Sequence, residues 1–279
     1  MRKPILILGG NGKTGSRLAA KLNAKKIPYV TGTRKPTSAT DRKFDWEDAR
    51  TFAPAFDSVG QIYIVAPTNR ADHEAIVPPA LEIAKVQGVE RFVLLSAASI
   101  EKGGPMMGAV HQWLEENTSD WAVLRPSWLM QNMLEPRHLT SIADEQRIYS
   151  ATGDGKLGFI DADDIAEVAL AAFESGTAWN FDEILTGGAL LSYSDLADEL
   201  SKHLGRQISH INLSVAALAE RLMDHGLSRD YAELLAGMDG AIAKGASEAL
   251  SDAVIRRTGK APTSFAAMLM RDGAALIDR

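Results

Sequence analysis

The sequence predicts a doubly wound α/β fold: a mostly parallel sheet with helices on both faces, followed by a smaller, mainly helical C-terminal cap. Three observations lead there. Short apolar runs alternate with helical patterns: Ile5-Leu6-Ile7-Leu8, Tyr29-Val30, Ile62-Tyr63-Ile64-Val65, Phe92-Val93-Leu94-Leu95 and Trp121-Ala122-Val123-Leu124. None of these runs alternates toward water, so each reads as a strand buried on both faces, and strands alternating with helices make right-handed parallel crossovers. The first run opens into glycines 9, 12 and 15, and beyond about Leu190 the strand signals nearly cease.

The first strand, Ile5 to Leu8, is followed by a helical pattern with Leu18, Ala19 and Leu22 on one face. Strand, glycine turn and helix is the context of a Rossmann-like dinucleotide site. Gly9 suits the tight turn, Gly12 lets backbone approach a pyrophosphate, and Gly15 lets the helix pack close to the strand. Asn11, Lys13 and Thr14 complete the loop at the helix N-terminus, which favours an anion. Lys13 is a cation in a helix's first turn, unfavourable for the dipole unless an anion sits nearby. The bland reading is a glycine turn with no ligand, which would leave three entropically costly glycines unexplained.

Further along, Asp72 to Gln87 reads as helical, with Pro78-Pro79 either kinking it or marking its true start. Gly103-Gly104-Pro105 breaks the chain, and a helix from about Met106 to Asn117 follows. Gly153-Asp154-Gly155 reads as a turn between two short extended pieces. Asp161, Asp163 and Asp164 read as N-cap and first-turn acids of the helix carrying Ile165, Val168 and Phe173, in preference to a metal site. Helices are expected over Leu191–Leu204, Val215–Met223 and Tyr231–Ala243, with one extended piece, Ile208–Leu213. The predicted organisation is a cofactor domain over 1–150, return segments around 151–190, and a substrate-binding cap over 191–279.

Composition sets the outer limits. A chain of 279 residues can bury a substantial core, and 46% hydrophobic with 24% charged residues is an ordinary soluble balance. The net charge of −6, without a long basic stretch, argues against a nucleic-acid surface. The absence of cysteine removes disulfides, a thiolate nucleophile and zinc–sulfur sites. After Arg2 and Lys3 the apolar run stops at Gly9, too soon for a signal peptide, and no segment has membrane-spanning length. The expectation is a cytoplasmic protein acting on a small molecule, with its oligomeric state open.

NADPH is expected over NADH. An NAD site uses an acid at the end of the second strand to hold the ribose hydroxyls. Here that strand ends Thr31-Gly32-Thr33-Arg34-Lys35, with no acid. Arg34 offers a planar fork for a 2′-phosphate, and Lys35 and Lys13 add positive charge; Thr33 stands beside them. A solvated Arg-Lys turn is the alternative. Asp45-Trp46 is placed to approach the adenine. Val65-Ala66-Pro67, Ser96-Ala97 and Pro126 lie at carboxyl ends of strands, where such sheets bind ligands.

The loop Gly9 to Gly15, Arg91-Phe92-Val93-Leu94-Leu95-Ser96-Ala97 and Val123-Leu124-Arg125-Pro126-Ser127-Trp128 carry a resemblance that extends over nearly the whole chain. So do Ile148 to Lys156, Asp161 to Ala166, and Thr258-Gly259…Pro262…Ser264-Phe265. These stretches resemble the NmrA-like atypical short-chain dehydrogenase/reductases, and within them the ergot-alkaloid clavine dehydrogenases of the agroclavine and festuclavine synthase type. The resemblance implies an NADPH-dependent reductase of a cyclic iminium or related electron-poor acceptor. It does not imply that this chain makes ergot alkaloids.

Ordinary members of that superfamily carry Tyr-x-x-x-Lys on the helix after the serine-bearing strand. At the corresponding place this chain reads His111-Gln112-Trp113-Leu114-Glu115. Residues four apart share a helix face, so His111 and Glu115 could hydrogen-bond. A ketone accepting hydride develops alkoxide charge and needs an acid, whereas an iminium is neutralised by hydride and needs positioning alone. The missing pair therefore favours iminium-like or conjugated acceptors. His111 is the candidate catalytic residue, with a packing role as its alternative; Glu115 reads as an orienting or surface group. Met107, Trp128 and Asn132 are candidate substrate contacts, with ordinary packing the alternative for Trp128, while Met130 reads as packing. His203 and His210 lack a third ligand, and no metal site is expected. Two rival readings stay open: a nucleotide-sensing regulator without turnover, and an NADPH-dependent quinone reductase.

Overall fold

Alternating apolar runs and helices resolve into two units in the computed structural model, which describes residues 3–67, 70, 72–246 and 248–277. The first comprises the chain up to Pro126, Ala162–Leu185 and Ala253–Lys260; the second comprises Ser127–Asp161, Thr186–Asp252 and the chain from Ala261 onward. In chain order the first unit runs β1 (Ile5–Leu8), α1 (Lys13–Ala24), β2 (Tyr29–Thr33), β3 (Asp41–Lys43), α2 (Phe52–Phe56) and β4 (Gln61–Val65). It continues with α3 (His73–Val86), β5 (Arg91–Leu95), α4 (Met107–Asn117) and β6 (Trp121–Pro126). After α5 (Pro136–Thr140) and β7 (Arg147–Ser150) in the second unit, the chain returns as α6 (Ala162–Glu174) and β8 (Phe181–Leu185). The remainder is α7 (Tyr193–Leu204), β9 (Ser209–Asn212), α8 (Val215–Asp224), α9 (Arg229–Ile242), α10 (Ala253–Thr258), α11 (Phe265–Asp272) and α12 (Ala274–Ile277), of which only α10 belongs to the first unit.

The first unit is a seven-stranded sheet in the order β3-β2-β1-β4-β5-β6-β8, every pair parallel. All four β1 residues are fully buried, as an unalternating run requires of a central strand covered on both faces. Leu6, Leu8, Ile62, Ile64, Leu94 and Val123 pack with Val77 and Leu81 of α3 and Val110 and Leu114 of α4. The alternate residues Ile5, Ile7, Tyr63 and Val93 are buried on the other face. On that face α1 packs on α6, tied by Lys21 to Asp163 and to Glu167, each at 2.8 Å. Asp163 and Asp164 occupy the first turn of α6, as expected.

Prolines 78 and 79 lie inside α3, which starts at His73, so they do not mark its start. The lost hydrogen bonds are tolerated because Val77, Ala80, Leu81 and Ala84 bury one face of the helix. The edge strand β8 reads Phe-Asp-Glu-Ile-Leu, too charged to announce itself as a strand. Its Glu183, nearly buried, pairs with Arg256 at 2.9 Å and also with Arg257, both from α10. The Arg257 guanidinium lies over the rings of Trp179 and Phe181 at 4.8 and 4.5 Å. These charges blunt an edge that would otherwise offer unpaired backbone.

In the second unit β7 and β9 form a parallel two-stranded sheet. Helix α7 opens on a Ser192–Asp195 capping box and ends at left-handed Gly205. His210 bridges Ser150 (2.8 Å) and Ser194 (3.1 Å), and His203 Nε2 lies where a side chain at Gly273 would press on it. Both imidazoles are thus built into packing. Among the described residues no group of three or more His, Cys, Asp or Glu could hold a metal ion, and no helix is long and apolar enough to cross a membrane.

Candidate functional site

The glycine turn is assembled from contacts that exclude side chains. Gly9 adopts φ +72°, the left-handed region, and a Cβ there would stand 3.0 Å from the Val65 Cβ. A Cβ on Gly15 would fall 2.4 Å from the Gly9 carbonyl oxygen, so α1 sits directly on the turn. Gly12 is the N-cap of α1, and its N–H donates to the Gly9 carbonyl at 2.9 Å. Gly12 has no side chain to cap the first turn, and it is exposed beside exposed Asn11. Thr14 is buried next to the Tyr63 phenol, whose burial pushes its acidity constant well above the ordinary tyrosine value. Gly10 has a role the sequence did not signal: a Cβ there would meet the Thr31 methyl at 2.0 Å, which fixes the distance between the turn and β2.

At the end of β2, Thr33 is half-buried while Arg34 and Lys35 are exposed. The Lys35 N–H donates to Thr33 Oγ1 at 3.3 Å. The nearest following acid, Asp41, is already engaged, accepting the N–H groups of Thr37 (2.8 Å) and Ser38 (2.9 Å), with the Thr37 amide foremost in holding its carboxyl below the usual range. Arg34 and Lys35 have no carboxylate partner among the described residues. Asp45 accepts the Glu47 N–H at 3.1 Å, and the indole N–H of half-buried Trp46 donates to the Val65 carbonyl at 3.2 Å. Trp46 thereby sits against the carboxyl end of β4, its ring edge-on to Phe44 at 4.8 Å.

Ala66 and Pro67 continue β4 as a buried segment, and the Pro67 carbonyl accepts a hydrogen bond from Nε2 of His73 at 2.8 Å. Ser96 and Ala98 extend the β5–β6 pairing through bonds to Leu124 (2.7 Å) and Pro126 (2.8 Å), which places buried Ser96, half-buried Ala97 and Pro126 at the same sheet edge. Arg125 braces this edge from beneath. Its guanidinium donates to Asp182 (2.7 Å), the Ala98 carbonyl (2.9 Å) and Glu101 (2.6 Å). Burial works against the charge, but the Asp182 and Glu101 carboxylates hold its basicity above the ordinary arginine value.

His111 is 3% exposed, its ring 5.4 Å from that of Trp121 at the start of β6. Burial lowers its basicity below the ordinary imidazole value, with Asp182 opposing. Glu115 pairs with Lys102 at 2.8 Å, and no hydrogen bond joins it to His111. Met107 is half-buried against the α4 side of the core, and Met106 before it adopts φ +56°, uncommon for a residue with a side chain. In the second unit Trp128 is partly buried, its carbonyl accepting from the Ile160 N–H at 2.9 Å. Met130 is buried there, and the Asn132 N–H donates to the Leu129 carbonyl at 3.1 Å.

The residues at the carboxyl edge of the sheet fit a nicotinamide dinucleotide. Cations past β2, the Gly12 cradle and positive α1 end past β1, and the Val65–Pro67 segment at the end of β4 follow the order β2-β1-β4 that a phosphorylated adenosine, a pyrophosphate and a second nucleoside would occupy. Fold and site together define a Rossmann-type nucleotide-binding protein. The chain belongs to the NAD(P)H-binding family, whose model matches residues 9–175, and within it to the NmrA-like short-chain dehydrogenase/reductases. It is 41% identical to the uncharacterized oxidoreductase YesF of Bacillus subtilis, covering 95% of this chain and 93% of that protein. It is 38% identical to the agroclavine dehydrogenase of Claviceps fusiformis, covering 94% of each. Among solved structures, the NADPH-dependent quinone oxidoreductase of Escherichia coli, complexed with NADPH, shares the fold with a TM-score of 0.80 at 23% identity, over 96% of this chain and 99% of that one. The protein is therefore an NAD(P)H-dependent oxidoreductase.

Proposed function

We propose that the protein uses NADPH in preference to NADH and reduces a cyclic iminium or a related electron-poor, conjugated acceptor. When bound, the cofactor supplies the hydride. Gly12 and the α1 N-terminus would hold the pyrophosphate, Arg34 and Lys35 the 2′-phosphate, and Val65 to Pro67 with Ser96 and Ala97 the wall on the β4–β5 side. The observation that carries the acceptor class is the state of α4. Where a proton-donating pair would stand, His111 is buried against Trp121 with lowered basicity and Glu115 is tied to Lys102. The burial of that histidine beside Trp121, with burial disfavouring the charged ring, supports packing as its role. An acceptor that is already cationic needs no acid, only orientation against the cofactor. The clavine dehydrogenases among the relatives support the same class.

The test is nucleotide consumption by the purified protein across cyclic iminium, quinone and ketone acceptors, with NADPH and NADH in parallel. Iminium turnover with NADPH preferred is the expected outcome. Turnover confined to simple ketones would overturn the acid-free reading, and tight NADPH binding without turnover on any acceptor would favour a sensor.

A further inference from the structure

We propose that His73 is a positioning residue for the nicotinamide half of the cofactor, acting through the Pro67 carbonyl; the inference rests on the NADPH reading above. Strand β4 makes its last pairing at Val65, opposite Leu95, so Ala66 and Pro67 run past the end of the ladder. Pro67 has no N–H to give, and its carbonyl has no neighbouring strand to accept from. The imidazole of His73, first residue of α3 and 1% exposed, supplies the missing donor through Nε2–H at 2.8 Å. Its Nδ1 has no partner among the described residues, so this single bond orients the ring. Two residues earlier, the indole N–H of Trp46 takes the Val65 carbonyl at 3.2 Å. The segment is thus pinned at both ends by buried or half-buried side chains from outside the strand.

What the segment does follows from its place. Val65 packs directly on Gly9, close enough that a Cβ on the glycine would stand 3.0 Å from the Val65 Cβ. It is therefore one wall of the phosphate turn. Arg34 follows the last residue of β2, on the opposite side of β1, and the order is β2-β1-β4-β5. A dinucleotide whose 2′-phosphate meets Arg34 and whose pyrophosphate meets α1 must lay its other half over β4 and β5. Half-buried Val65 is where that half meets β4, on a wall that buried Ala66 and Pro67 back. A carbonyl released from His73 would seek water, and the wall would have to be rebuilt each time the nicotinamide half docks.

The test compares NADPH with 2′,5′-ADP, which keeps the phosphorylated adenosine half and lacks the nicotinamide half. Isothermal titration calorimetry on the apoprotein reads both without turnover. His73→Leu is expected to weaken NADPH about tenfold, as loss of one buried hydrogen bond predicts, and to leave 2′,5′-ADP within about twofold. His73→Gln, whose amide nitrogen can stand where Nε2 stands, should bind both ligands within about threefold of the parent. Should His73→Leu fail to fold, His73→Asn replaces it, since its shorter amide falls short of the carbonyl. Equal losses for the two ligands, or no loss for either, would reduce His73 to a structural pin and overturn the proposal. Wild-type protein that binds neither ligand would overturn the NADPH reading itself.

Discussion

Replacing Gly10 by alanine isolates a packing contact that sets the cofactor cleft. Gly10 has no left-handed backbone, so alanine is allowed there conformationally. The obstacle is steric: the new methyl would stand 2.0 Å from the Thr31 methyl, against a carbon–carbon optimum of about 3.5–4.0 Å. Overpacking of this kind costs about 1–3 kcal/mol, offset by about 0.4–1 kcal/mol from the stiffer unfolded chain. Thr31→Ser deletes the offending methyl, after which the nearest Thr31 atoms are Cβ at 3.2 Å and Oγ1 at 3.4 Å. Alone it should cost about 1 kcal/mol, the value of one buried methyl. Together the two changes move one methyl across the same gap, and the double variant should return to within about 0.5 kcal/mol of the parent. The expected coupling is therefore about 2 kcal/mol in favour of the pair, measured by urea denaturation of the apoprotein. Additive losses would show that Gly10 and Thr31 do not share that space and would refute the packing argument.

Arg34→Ala should weaken NADPH about 10-fold or more, within the roughly 1.5–3 kcal/mol of a charge-assisted hydrogen bond, and leave NADH nearly untouched; equal losses in parallel titrations would sink the 2′-phosphate assignment. His111→Ala should lower the hydride-transfer rate by about tenfold at most, whereas a loss of several thousandfold in single-turnover kinetics would establish obligatory acid catalysis. The same residue shapes the pH profile. Burial holds His111 and His210 below the ordinary imidazole value. The unfolded chain takes up protons near pH 6.5 that the folded protein refuses. Stability is therefore full above about pH 6.5 and falls on acidification, by at most about 1.4 kcal/mol per pH unit for each histidine. His111→Ala should flatten that slope in denaturation curves taken between pH 5 and pH 7.

Where burial was uniform, the fold was legible. Ile5 to Leu8 is β1 to the residue, and Phe92 to Leu95 falls one residue short of β5, because central strands of a covered parallel sheet need apolar residues at every position. The edge strands were not: β3 is Asp-Arg-Lys, and β8 hides behind charges that α10 later neutralises. The return of Ala253–Lys260 to the first unit has no local signal at all, since its reason is a partner some seventy residues earlier in the chain. The glycine turn carried its meaning in spacing, yet Gly10 did not, because its constraint is the Thr31 methyl across a strand boundary. Arg34 and Lys35 were singled out from the missing acid beside them, and the structure leaves both exposed just past β2. His73 was not, since only three-dimensional structure reveals that a carbonyl past the end of β4 needs a donor.

The proposed acceptor class rests on the same logic applied to α4. A site that must protonate its product needs a titratable group exposed to the acceptor and tuned near pH 7. Helix α4 instead commits its polar side chains to structure: His111 to the core beside Trp121, Glu115 to Lys102, and Gln112 to Glu116 at 2.8 Å. The loop entering that helix is held by Arg125, whose planar fork reaches Asp182 of β8, the Ala98 carbonyl and Glu101 at once. One buried cation bracing three chain segments gives a rigid edge, and rigidity is the property hydride delivery to a cationic acceptor asks of a protein, because distance and alignment are all that remain to be controlled. If the acceptor were a ketone, this arrangement would leave the developing alkoxide without a donor on α4. The helix is thus the part of the fold on which the choice between iminium and ketone reduction turns.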